Sequence, residues 1–101
     1  MTAEAWRPTA SWERLQQRAR LLHLMRAFFY QRGVWEVETP HLLQAVAPER
    51  HLEPIACQSG FLHTSPETSM KRLLAAGGGP IYQICHVFRG DECGSLHSPE
   101  F

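Results

Sequence analysis

The sequence predicts a mixed α/β (α+β) domain, in which pieces of an antiparallel sheet are flanked by helices. Three features carry that reading. Helical periodicity runs through the first third of the chain, Ser65-Pro66-Glu67 announces a second, shorter helix, and short β-favouring runs cut by glycine and proline fill the rest.

Met1 to Ala10 contains Pro8 and has no periodicity, so it is expected to be a tail, with Trp6 pinning it to the body. The domain proper then runs from 11 to 101. From about Ser11 to Arg32, Leu15, Ala19, Leu22, Met25 and Phe29 recur at spacings of three and four, with Glu13, Arg14, Gln17 and Arg18 off that stripe. Leu21, Leu24 and Phe28 widen the stripe toward the C-terminal end. A helix apolar on more than one side needs more than one packing partner, within its own domain or across a subunit interface.

Gly33 is placed to end that helix in a left-handed cap. Val34 to Thr39 reads as a short strand stopped by Pro40, which cannot donate to a ladder. Leu43 to Glu53, with Pro48 and mixed charge, reads as a surface loop. A strand near Leu52 to Gln58 follows, turned by Gly60 into a partner at Phe61 to Thr64. Ser65 can then cap a helix with Pro66 and Glu67 in its first turn, an acid there suiting the positive helix end. Met70, Leu73 and Leu74 supply its apolar face. Gly77 to Gly79 close it, and they lack the spacing and the Lys-Ser ending of a phosphate loop.

After Pro80, the β-favouring Tyr82, Ile84 and Val87 predict a strand that delivers Arg89 into a loop with Asp91 and Glu92. Cys93, Gly94 and Ser95 form a turn, and Pro99, Glu100 and Phe101 begin a returning strand. Such a hairpin puts Arg89 and His97 on facing strands.

Bulk properties exclude several classes. The 101 residues are 44% hydrophobic, enough for one small domain with a modest core. Ten basic and ten acidic side chains cancel, which argues against a dedicated nucleic-acid-binding domain. Cys57, Cys85 and Cys93 are odd in number and lack C-x-x-C spacing, so free thiols in a reducing cytosol are expected rather than disulfides or structural zinc. His51, His63 and His86 match no ligand spacing, and no metal site is expected. The apolar run from Leu21 to Tyr30 is broken by His23 and Arg26, far short of the roughly 20 residues a membrane span needs. With Glu4 and Arg7 and no apolar core, the N-terminus does not read as a signal peptide.

Two stretches carry a resemblance. GVWEVETPHL, behind a long helix, resembles motif 1 of the class II aminoacyl-tRNA synthetases, and the order Phe88-Arg89, Asp91, a short loop and His97-x-Pro99-Glu100-Phe101 resembles their motif 2. Within the class the match is to the lysine branch. Ser65 in place of the usual alanine before Pro66-Glu67, the stretch MKRLLAAGGGP and the short lead before the motif 1 helix resemble a shortened branch that ligates (R)-β-lysine to elongation factor P. A true lysyl-tRNA synthetase carries an anticodon-binding barrel ahead of this point.

The resemblance implies an ATP-dependent ligase of the cytoplasm that needs magnesium. Its substrates are (R)-β-lysine or lysine, its acceptor is a lysine ε-amine of elongation factor P, tRNA is not expected as a partner, and a homodimer forms through the motif 1 helix. Ser65, Pro66 and Glu67 are implied in substrate recognition, Glu67 holding the amino group. Arg89 is implied as the catalytic residue, and Arg89, Asp91, His97 and Ser98 as the ATP contacts. Asp91 stands where the family has glutamate, and Gly90 and Ser98 where it has asparagine. Only motifs 1 and 2 occur in these residues. The magnesium ligands and motif 3 are therefore expected outside this chain, and the piece alone is expected to be inactive. Two alternatives stand beside this reading: part of a lysyl-tRNA synthetase catalytic domain, and a non-catalytic remnant that kept the motif 1 helix for pairing.

Overall fold

A computed structural model describes residues 4–46, 52–90 and 98–101. By contact it divides into two compact units, Met1–Gly33 and Val34–Phe101.

The first unit is dominated by α1, Trp12–Gln31. Ser11, in extended backbone, turns its Oγ to accept the Arg14 N–H at 3.2 Å, and Glu13 lies in the positive first turn. At the far end Gly33 adopts φ 72°, as expected of a left-handed cap, and its N–H donates to the Tyr30 carbonyl at 3.2 Å. Arg32 folds back along the last turn, with its guanidinium 3.6 Å from the Phe28 ring centroid and Nη1 donating to the Phe28 carbonyl at 3.0 Å. A cation there meets both the ring face and the negative end of the helix. Ahead of α1, Glu4 and Arg7 close a turn through a backbone bond of 3.0 Å and an ion pair of 2.8 Å. Trp6 does not pin this tail: it is 75% exposed and stacks with neighbouring Arg7 instead.

The second unit contains β1 (Trp35–Glu36), β2 (Leu42–Leu43), β3 (Ile55–Cys57), β4 (Gly60–Leu62), α2 (Glu67–Ala75) and β5 (Ile81–Tyr82). The strands form two small sheets. β2, β4 and β3 pair antiparallel in that spatial order, with Leu42 opposite Leu62 and Ile55 also opposite Leu62. The antiparallel sheet flanked by helices is as expected, and beside it β1 and β5 form a small parallel pair, Trp35 opposite Ile81. Two strands separated by β2, β3, β4 and α2 have ample chain for a parallel return.

Between β3 and β4 the turn is Gln58-Ser59, and Gly60 is already the first residue of β4, opposite Cys57. Glycine is required there because a Cβ would collide with the Leu43 carbonyl of the adjacent strand. α2 starts at Glu67, one residue later than the capping pattern indicates, though Ser65 Oγ still accepts the Glu67 N–H at 3.3 Å. Gly77 at φ 97° and Gly78 donate N–H groups to Leu74 and Leu73 and close the helix.

The strand expected from Pro80 through Val87 ends at Tyr82. Gln83 leaves the ladder to clamp Thr39: Oε1 accepts the Thr39 N–H at 2.9 Å, and Nε2 donates to Thr39 Oγ1 at 2.9 Å. The same clamp ends the strand expected through Thr39, which is regular only over β1. Pairing resumes at Phe88, opposite Glu100, with Val87 and Phe101 exchanging bonds of 2.7 and 3.0 Å. No apolar side chain among the described residues is fully buried. The buried ones are Thr39, His63 and Thr64.

Candidate active site

The geometry of the site begins at His63, which is completely buried. Its N–H donates to the His41 carbonyl at 2.7 Å, its carbonyl accepts the Phe88 N–H at 3.1 Å, and its ring Nε2 meets the His86 carbonyl at 2.6 Å. A carbonyl only accepts, so Nε2 carries the proton. Burial holds the ring's pKa below the ordinary histidine value against the opposing effect of that bond, and nearby His41 lowers it further. One residue thus sews the end of β4 to the chain before β2 on one side and to 86–88 on the other.

That stitching sets Thr64 beside Arg89. Arg89 Nε and Nη2 both point at the Thr64 carbonyl at 3.4 Å, and the Arg89 N–H donates to the Pro99 carbonyl at 2.8 Å. Gly90 is held in turn by its N–H on the Glu53 carbonyl at 2.7 Å. The Phe101 ring lies 5.1 Å from the guanidinium. Among the described residues no carboxylate forms an ion pair with Arg89. Among the described residues its fork is positioned by a neutral carbonyl and an aromatic face.

Ser65, Pro66 and Glu67 follow Thr64 directly, so the structure brings the Ser-Pro-Glu segment and Arg89 to one place. Ser65 and Pro66 are half-buried, whereas Glu67 is exposed and pairs with Lys71, one helical turn on, at 2.8 Å. The Lys71 ammonium, by hydrogen bond and by charge, holds the Glu67 carboxyl below its usual value. Ser98 is exposed next to Pro99, which receives the Arg89 N–H. Of the returning strand expected at Pro99 to Phe101 the structure shows a single antiparallel bridge, Phe88 to Glu100, and the residue facing Arg89 across it is Pro99. Asp91 and His97, with Glu92, Cys93, Gly94, Ser95 and Leu96, lie outside the described residues, as do Pro48 and His51.

Sequence reasoning missed His63 and Gln83. A histidine surrounded by β-favouring residues and a glutamine in an apolar run look like ordinary strand positions. Their roles depend on partners 23 and 44 residues away. Glu38, His41, Cys85, His86 and Glu100 line a pocket of about 430 Å³ beside the clamp. His86 Nδ1 lies 3.1 Å from Glu100 at its rim.

Arg89 over the Thr64 carbonyl, just past the Phe88–Glu100 bridge, and the adjoining Ser65-Pro66-Glu67 turn are the residues that carry the motif resemblance. The family model for tRNA synthetases class II (D, K and N) matches residues 4–101, and the chain belongs to that family. Among individual relatives, it is 49% identical to the elongation factor P–(R)-β-lysine ligase of Pseudoalteromonas translucida (strain TAC 125), over 100% of this chain and 34% of that protein. The ligase of the same name from Actinobacillus succinogenes (strain ATCC 55618 / DSM 22257 / CCUG 43843 / 130Z) is 50% identical over 97% of this chain and 33% of its own length. For that from Erwinia tasmaniensis (strain DSM 17950 / CFBP 7177 / CIP 109463 / NCPPB 4357 / Et1/99) the figures are 48%, 96% and 33%. The chain thus spans about a third of the length of these relatives. No described helix is long and apolar enough to cross a membrane.

Proposed function

We propose that the protein to which these residues belong activates (R)-β-lysine as an adenylate and transfers it to a lysine of elongation factor P. Similarity over nearly the whole chain to ligases of that name supports the reading. The single structural observation that carries it is Arg89, charged, half-buried and free of carboxylate partners among the described residues, next to Ser65-Pro66-Glu67.

In the first step a carboxylate oxygen of the substrate attacks the α-phosphorus of ATP. An acyl–O–P bond forms, the bond to the β-phosphate oxygen breaks, and pyrophosphate leaves. Negative charge grows on the α-phosphoryl oxygens. A guanidinium fixed beforehand meets that charge without reorganising, and its fork can span a carboxylate and a phosphate, which a lysine cannot do. Arg89 has that role. Glu67 takes the substrate amino group, exchanging its contact with Lys71 for a new cation, while Ser65 and Pro66 fix the turn that presents it. Asp91 contacts adenine, and His97 and Ser98 lie toward the phosphates. In the second step the ε-amine of the acceptor lysine attacks the acyl carbon, and AMP leaves with the electron pair of the broken acyl–oxygen bond.

Magnesium, when bound with ATP, would neutralise phosphate charge, and its ligands are expected outside these residues. Residues 1–10 serve as an arm and 11–101 as the opening part of the catalytic domain. The protein works in the cytoplasm as a homodimer paired through α1, without tRNA, and these residues alone are inactive. ATP–pyrophosphate exchange tests the reading, run on this chain and on a protein extended to the length of its relatives. Exchange driven by (R)-β-lysine in the longer protein only is expected. Preference for α-lysine together with charging of tRNA would instead identify a lysyl-tRNA synthetase.

A further inference from the structure

We propose that His41, His63 and Cys85 form a binding site for a borderline-soft divalent cation, Zn2+ foremost, independent of any magnesium carried by ATP. These three residues each offer a ligand atom, and the three atoms lie within 4.8 Å of one another. Nothing in the spacing of the residues announces the cluster. It exists because the His63 N–H bonds the His41 carbonyl and because the chain after β5 runs past the buried face of His63.

His63 is the decisive member. Its ring is completely buried, and Nδ1 is buried with no hydrogen-bond partner among the described residues. Nε2–H is committed to the His86 carbonyl at 2.6 Å, which forces the lone pair onto Nδ1. Metal-binding histidines are arranged in this way, one nitrogen donating to a carbonyl that fixes the tautomer and the other free for the metal. A buried polar atom left without a partner in a native fold calls for an explanation, and an ion is one of the few.

The donor set selects the ion. Two imidazoles and a thiolate suit Zn2+, whereas Mg2+ and Ca2+ require oxygen ligands that this trio lacks. Tetrahedral Zn2+, with Zn–N of about 2.0–2.1 Å and Zn–S of about 2.3 Å, separates its donors by roughly 3.3–3.6 Å. The present spread is closed by side-chain rotation of His41, which is exposed, and of Cys85, which is half-buried. The His41 and His63 rings already meet edge to face, with centroids 4.6 Å apart. On binding, the Cys85 thiol gives its proton to solvent as the sulfur–metal bond forms. His41 and Cys85 also line the 430 Å³ pocket, so the fourth coordination position opens on it and takes water.

None of the three ligands is assigned to ATP or substrate, so the site and the ligase reading can fail separately. The test is titration of the reduced, metal-free 101-residue chain with Co2+, followed by displacement with Zn2+. One equivalent and a thiolate-to-cobalt charge-transfer band in the near ultraviolet are expected. Cys85→Ser should abolish the band, Cys57→Ser and Cys93→Ser should retain it, and His41→Gln and His63→Gln should weaken binding by about 10-fold or more. His41 is exposed, so His41→Gln is decisive even where His63→Gln disturbs the fold. Absence of the band, its survival in Cys85→Ser, its loss in Cys57→Ser or Cys93→Ser, or a smaller weakening in His41→Gln would overturn the proposal.

Discussion

α1 and the chain around His63 follow opposite rules. Along α1, Leu21 and Leu24 are 57% and 64% exposed, and only Leu22, Ala27 and Phe29 reach even intermediate burial. Around His63 it is polar residues, Thr39, His63 and Thr64, that are buried. The helix forms because its backbone bonds are local and its cap is local; burial is not needed to define it. The other region forms because polar groups find distant partners, and each bond fixes two segments at once. One region shows how a helix can be specified while its apolar face is left uncovered. The other shows a site built from hydrogen bonds with little apolar core beneath it.

If the polar-stitched region holds the chemistry, its charged residue should matter most. In a protein of the relatives' length, Arg89→Ala should lower ATP–pyrophosphate exchange by about 10²- to 10³-fold, the size found when a transition-state donor is removed. Arg89→Lys should recover little, because an ammonium lacks the fork. Near-normal exchange in Arg89→Ala would remove Arg89 from the mechanism.

Stability should divide along the same line. His63→Ala deletes a buried ring and its 2.6 Å bond, and is expected to cost about 2–4 kcal/mol in urea unfolding of the metal-free chain. Leu24→Ala on α1, where the side chain is exposed, should stay within about 0.5 kcal/mol. Equal losses at the two positions would erase the contrast.

Association should be sensitive where stability is not. Leu21→Glu combined with Leu24→Glu is expected to weaken self-association by about 10²-fold or more, as each leucine buried in an interface is worth on the order of 1.5–3 kcal/mol. Sedimentation equilibrium reads this directly. Unaltered association would assign pairing to another surface.

The smallest effect concerns Glu67. Lys71→Gln should let its carboxyl pKa rise toward the ordinary value, followed by the side-chain NMR shift through an acid titration. Because the folded value is depressed, what the pair adds to stability is present above the ordinary carboxylate pKa and lost as pH falls through the lowered one. Both groups are exposed, so thermal stability should scarcely change.

Local grammar was enough to place α1 with its Gly33 cap, the start of α2 to within one residue, and the antiparallel return of the chain at Pro99 to Phe101 beside Val87 to Arg89. Each depends on neighbours within a turn or a hairpin, and on residue types whose φ/ψ or hydrogen-bonding preferences are short-ranged. Long-range pairing was not legible. The parallel match of Trp35 with Ile81, the Gln83 clamp on Thr39 that cuts two expected strands short, and the convergence of His41, His63 and Cys85 all join distant segments. A side chain such as Gln83 or His63 can satisfy its hydrogen bonds with many partners, and pattern alone cannot choose among them. Only the folded chain, by bringing particular carbonyls within reach, decides which bond is made and therefore where Arg89 points.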